Sequence, residues 1–199
     1  MIYLKGNLEW HNFLKKEDKD SFETLYKNNV KDLYSYGLNF GFEADDCMDA
    51  IHDVFLKIFS QKKQLTHISN FRYYLFSSFR NRLFDLHKYR KKTVSYDVRN
   101  YNFEVEVSVA DDYEDKEESR LLKEKVERLV AQLTERQREA LFLRYMQNME
   151  YKDIAEIMQI NTESVHKLVY RAFETIRKNN KDFNLPILTI LTYYFFEYI

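Results

Sequence analysis

With 199 residues, 45% of them hydrophobic and 17% aromatic, the chain can bury a core, and 31 basic against 32 acidic side chains give a formal net charge of −1. Gly and Pro number only 3 and 1. This excludes the turn-rich sandwiches, barrels and Gly-rich nucleotide loops that depend on those residues, and the fold class expected is all-α. The single Cys47 excludes an internal disulfide and a cysteine-built zinc site.

Charge is unevenly placed. Residues 1–92 hold 16 basic and 12 acidic side chains (+4), residues 93–119 hold 2 and 9 (−7), and residues 120–199 hold 13 and 11 (+2). The plan this implies is a helical domain over 1–92, an acidic linker over 93–118, a second helical domain over 119–182 and an apolar extension over 183–199. The opening MIYLKGNLEWHNFLKKEDKD lacks the basic-then-apolar order of a secretory leader. With one cysteine, the expected location is the cytoplasm.

The first predicted helix follows Asp20 and Ser21, with Phe22, Leu25, Tyr26, Val30, Leu33 and Tyr34 at three- and four-residue spacing, and Gly37, Asn39 and Gly41 are expected to close it. A second begins near Glu43, where Glu43, Asp45, Asp46 and Asp49 sit at the positive end of the helix dipole. Its core stripe is Met48, Ile51, Val54, Phe55 and Ile58, and its other face carries Asp46, Asp49, His52, Asp53 and Lys57. Asp49 and Asp53 share a face, but no second His stands at ligand spacing. Neither a metal nor another cofactor is expected, and the face reads as solvated or docked on a basic partner.

The third helix, about Asn70 to Lys92, has a core stripe of Phe71, Leu75, Phe76, Phe79, Leu83, Leu86 and Tyr89. The side expected to face outward collects Tyr73, Tyr74, Ser77, Arg80, Asn81, Phe84, Lys88, Lys91 and Lys92. Cations interleaved with aromatic rings suit single-stranded nucleic acid, because phosphates pair with Lys and Arg while bases stack on rings.

After the like-charged run Asp111 to Glu118, read as linker, Ser119 to Gln132 forms an amphipathic helix. Thr134 and Gln137 have the spacing of a capping box for the next one. Tyr151 to Met158, the turn Gln159-Ile160-Asn161 and a helix from Thr162 to about Asn179 have the form of a helix-turn-helix. Ile154, Ala155 and Met158 would pack on Val165, Val169 and Ala172. That leaves Glu163, His166, Lys167, Tyr170, Arg171, Glu174 and Arg177 facing out to a DNA major groove and its phosphates.

In order and residues, 20–92 and 119–178 resemble the bacterial sigma factors of the small, two-domain extracytoplasmic-function type. Asp49-Ala-Ile-His-Asp-Val-Phe-Leu-Lys-Ile-Phe59 is similar to the family's helix that docks on the clamp helices of RNA polymerase, with His52 in place of the usual Gln. The resemblance implies that Asp46, Asp49, His52 and Asp53 bind core polymerase. Phe71-Arg-Tyr-Tyr-Leu75, Phe79-Arg-Asn81, Asp85 and the basic end Lys88 to Lys92 resemble the element that captures unpaired bases of the promoter −10 element. It implies roles there for Tyr73, Tyr74, Arg80, Asn81, Phe84, Lys88 and Lys91, together with Lys62 and Lys63 of the preceding loop (about Gln61 to Ser69). Leu133-Thr-Glu-Arg-Gln-Arg-Glu-Ala-Leu-Phe-Leu-Arg-Tyr145 through Arg171-Ala172 is similar to the domain that reads the −35 element. Thr162, Glu163, His166, Lys167, Tyr170 and Arg171 would meet the duplex there. Gln159 replaces the family's turn Gly, and His166-Lys167-Leu168 stands where Lys-Ser-Arg is frequent.

The function implied is transcription initiation, without enzymatic chemistry in this chain. Its partners would be core RNA polymerase, promoter DNA in duplex and single-stranded form, and an anti-sigma or DNA-targeting protein. Three alternatives differ in what they require. A helix-turn-helix regulator would act without polymerase, a sigma-like factor with the Leu168 departure would be brought to DNA by another protein, and a hydrolase would hold metal on Asp49, His52 and Asp53. The tail from Ile187 spans about 20 Å as helix against a bilayer core of about 30 Å. No membrane span is expected, and the tail is read as packing on the second domain or on a partner protein.

Overall fold

The structure, a computed structural model, describes residues 2–16, 19–90, 101–105 and 116–179. Among these the regular elements are all helical: α1 (Ile2–Lys16), α2 (Lys19–Asn39), α3 (Ala44–Ser60), α4 (Phe71–Arg90), α5 (Lys116–Ala131), α6 (Glu135–Leu141), α7 (Tyr151–Ile157) and α8 (Thr162–Asn179). None of the described helices is long and apolar enough to cross a membrane. The chain divides into two compact units, Met1–Asn102 and Phe103–Ile199. The tail 183–199 lies outside the described residues, as do Lys91, Lys92 and the acidic run of 106–115.

In the first unit α4 is the central helix, packed on α1, α2 and α3. The sequence reading places no element before Asp20, yet α1 is there, and it contributes fully buried Trp10 and Phe13. α2 ends at Asn39, within the Gly37, Asn39 and Gly41 stretch expected to close it, but Gly37 itself lies inside the helix and serves packing. A Cβ on it would sit 2.6 Å from Cys47 Sγ of α3 and 3.0 Å from Phe79 Cζ of α4, so only glycine lets the three helices meet there. Gly41, at φ +76°, is the residue that turns the chain away, in the left-handed region glycine favours. α3 then begins after Glu43 and buries Cys47, Ala50, Ile51, Val54, Phe55 and Ile58. The Cys47 thiol is pushed up to about 11 by burial, with Glu43 adding to the shift.

In the second unit α6 starts from the Thr134–Gln137 capping box, in which each residue's side chain accepts from the other's backbone N–H. α6 runs into a wide π-type turn, Phe142–Met146, that buries Phe142 and Leu143. α6 and α7 both pack on α8. The α7–α8 turn closes with Ile160 N–H on Ala155 O (2.9 Å) and Gln159 N–H on Glu156 O (3.3 Å), the hydrogen-bond pair of a Schellman stop. Gln159 occupies its left-handed position at φ 55°. Asn161 caps α8, its Oδ1 accepting from Ser164 N–H at 2.7 Å, which satisfies one of the orphan donors of a helix start.

Candidate protein and nucleic-acid interfaces

The outward face of α3 is acidic at its start and apolar at its end. Asp49 and His52 are exposed, Asp46 and Asp53 are partly exposed, and one turn further on Leu56 is 66% exposed. The His52 imidazole lies parallel to Tyr26 (6.4 Å, 17°). Phe59, half exposed, meets Phe22 and Phe13 and carries Lys62 Nζ 5.9 Å from its ring centre. Leu56 and Phe59 are not among the residues singled out from sequence, since an apolar residue beside a core stripe is indistinguishable there from core. An exposed leucine within an acidic helix face has the make-up of a protein-binding surface, with an apolar anchor and a charged rim.

Asp53 is engaged within the chain. Arg82 of α4 donates to its Oδ2 from Nε (2.8 Å) and Nη2 (2.6 Å), both side chains being about 43% exposed. The acidic row of α3 and the outward row of α4 therefore share one edge. Among the described residues, no three His, Cys, Asp or Glu gather as a metal site.

On α4 the sequence reading needs correction. Arg80 is 1% exposed and Phe84 3%, so neither faces outward. Burial runs along two adjacent rows, Phe71, Leu75, Phe79, Leu83 and Arg72, Phe76, Arg80, Phe84. The second row alternates guanidinium and ring at i, i+4. Arg72 lies 5.4 Å from the Phe76 ring centre and Arg80 4.9 Å from that of Phe84. Arg80 also faces Phe40 (5.6 Å) and Tyr101 (5.4 Å), and Phe84 meets Phe40 and Phe42 edge-on. Arg72 is further held by Asp32, at 2.6 Å. The cation-and-ring pattern is thus an internal cation–π ladder. Tyr101, in the segment read as linker, covers its end and is buried.

Of the residues read as the nucleic-acid face, α4 leaves toward solvent Tyr73, Tyr74 and Ser77, half-buried, and Asn81 and Lys88, exposed, beside exposed Arg82 and Asp85. Asn70 Oδ1 accepts from Tyr73 N–H (3.1 Å), which fixes the first turn and the two tyrosines on it. In the preceding loop Lys63 is exposed and Lys62 partly so. These residues, with Lys88, retain the chemistry of stacking rings and phosphate-pairing cations.

α8 buries Val165, Val169, Ala172 and Ile176 and exposes Glu163, His166, Lys167, Tyr170 and Arg171, with Thr162 at its first turn. Two of these are pre-engaged. Lys167 Nζ is 2.6 Å from Glu163, and that contact lowers the Glu163 pKa. His166 stacks on Tyr151 (3.9 Å, 21°), whose ring centre lies 4.9 Å from the Arg144 guanidinium. Arg144 in turn donates to Met149 O at 2.7 Å. Tyr151, unmarked in the sequence reading, therefore links the π-type turn, the start of α7 and the outward face of α8. A shallow cleft lined by Arg136, Ser164, Lys167, Leu168 and Arg171 gathers three cations beside that face.

Residues 123–176, from within α5 to near the end of α8, match the family described as Sigma-70, region 4. The fold is similar to that of two solved structures. One is CnrH in complex with the cytosolic domain of CnrY, with TM-score 0.54, 17% identity, and coverage of 86% of this chain and 94% of that one. The other is the sigma factor RpoE of Bartonella quintana, co-crystallised with the anti-sigma factor NepR, with TM-score 0.57, 19% identity, and coverage of 84% and 100%. No curated protein matches the chain in sequence.

Proposed function

We propose that this chain is a sigma factor of the extracytoplasmic-function type, a reading supported by its region 4 match and its fold, and that it binds core RNA polymerase through α3, captures unpaired promoter bases on the outward row of α4 and reads duplex DNA with α8. The observation that carries the reading is the region 4 match over 123–176. The make-up of the surfaces supports the rest. Asp49 and His52 with Leu56 suit a helical partner bearing cations around an apolar groove. Tyr73, Tyr74, Asn81 and Lys88, with Lys62 and Lys63, suit a single strand. His166, Lys167, Tyr170 and Arg171 suit a major groove flanked by phosphates. Arg80 and Phe84 have no place in that contact set. Opening the promoter is then base capture, and polymerase makes the RNA. The folds it shares with chains solved in complex with CnrY and NepR support a regulatory protein partner for this chain as well.

The test is co-purification of the full chain with core polymerase, repeated with Asp49→Arg plus Leu56→Glu, both exposed positions. Loss of association with an unchanged melting temperature is the result expected. Undiminished association overturns the α3 assignment, and absence of association by the wild type overturns the reading.

A further inference from the structure

The first helix has a job that reaches the base-capture site. Trp10, fully buried, makes two different contacts on either side of the junction between the 61–69 loop and α4. Its indole Nε1–H donates to Ile68 O at 3.1 Å, and its ring stacks on Phe71, the first residue of α4, at 4.8 Å and 18°. Phe13, one turn further along α1, holds the indole from beside (5.8 Å). Lys62–Leu65 forms one 3₁₀ turn, Leu65 is buried while Lys63, Gln64, Thr66 and His67 are exposed, and Ile68 N–H closes back on Leu65 O (3.0 Å). Two residues after Ile68, Asn70 caps the turn bearing Tyr73.

We propose that Trp10 is a positioning residue for base capture: its N–H fixes the exit of the 61–69 loop and its ring fixes the start of α4, so that Lys62, Lys63, Tyr73 and Tyr74 present one rigid surface to a single strand. This rests on the function proposed above. A loop free to move would have to be ordered at each binding event, and that ordering weakens binding without removing a contact.

Trp10→Phe keeps a stacking ring and deletes the donor. The full chain, assembled with core polymerase, is tested on the single-stranded DNA that the wild-type holoenzyme enriches from a random-sequence pool. The expected result is about three- to tenfold weaker binding, the range of one net hydrogen bond, with core-polymerase affinity unchanged. Ile51→Val, a core trim in α3, serves as a variant of comparable thermal destabilisation and is expected to bind the strand as wild type does. Wild-type binding by Trp10→Phe overturns the proposal, as does an equal loss in Ile51→Val. A wild-type holoenzyme that enriches no sequence overturns the function reading and this inference together, and is told apart by occurring in the unsubstituted protein.

Discussion

The Arg80 guanidinium lies 4.9 Å from the centre of the Phe84 ring, one turn along α4, with both side chains buried. A cation and a ring at this spacing read from sequence as a nucleic-acid surface, and in the folded chain they are interior. Removing the cation leaves three facing rings, Phe40, Phe84 and Tyr101, around a void. Arg80→Ala is expected to cost about 2–4 kcal/mol, a drop of more than about 8 °C in the melting temperature of the first unit. Asn81→Ala, exposed one residue on, is expected to stay within about 0.5 kcal/mol while weakening single-strand binding. Calorimetry paired with oligonucleotide titration separates the two.

Gln159 stands where the α7–α8 turn needs φ 55°. A left-handed residue with a Cβ is strained by about 1–2 kcal/mol, part of which glycine returns through its freer unfolded chain. Gln159→Gly is expected to raise the stability of the second unit by about 0.5–1 kcal/mol, read as a higher urea midpoint with an unchanged slope.

Lys167 is held 2.6 Å from Glu163 on the face proposed to meet duplex DNA. Glu163→Gln releases the ammonium and removes a negative charge that opposes phosphate. Duplex affinity is expected to rise, and the slope of log affinity against log salt to steepen by about one charge. Filter binding across a salt series measures both.

The buried Cys47 thiol, at about 11 against an ordinary 9.0, keeps its proton in the native state to higher pH than in the unfolded chain. The native state therefore binds more protons above the unfolded value, so this contribution is complete below about pH 9 and declines as pH rises toward 11. Denaturant melts across that window are expected to show the loss, and Cys47→Ala to flatten it. The same burial predicts that a thiol reagent labels native protein only as fast as it unfolds.

The Gly37 contact allows no added atom. A Cβ 2.6 Å from Cys47 Sγ collides with a side chain that has nowhere to retreat. Gly37→Ala is expected to destabilise the first unit by about 1–3 kcal/mol despite its better helix propensity, measured by thermal melting.

The helix-turn-helix was the most legible part of the molecule. Thr134 and Gln137 cap α6 as their spacing indicates, and α7 and α8 fall close to their expected bounds, because capping and periodicity are local properties. Two features were not legible. α1 escapes the sequence reading because charged residues interrupt its apolar ones; its Trp10 gains meaning only from α4 and the loop it packs on, and its Phe13 from Phe22 of α2 and Phe59 of α3. Arg80 and Phe84 were misplaced because a helical wheel assigns one core stripe, whereas a helix packed on three others buries two rows, and a buried cation needs rings brought from Phe40 and Tyr101.

The double-row burial of α4 also bears on redesign. With Arg72, Phe76, Arg80 and Phe84 committed to the interior, a library aimed at altering the single-strand contact proposed for this helix is confined to its outward positions, such as Tyr73, Tyr74, Ser77, Asn81 and Lys88. Randomising the inner row would return misfolded clones rather than new specificities.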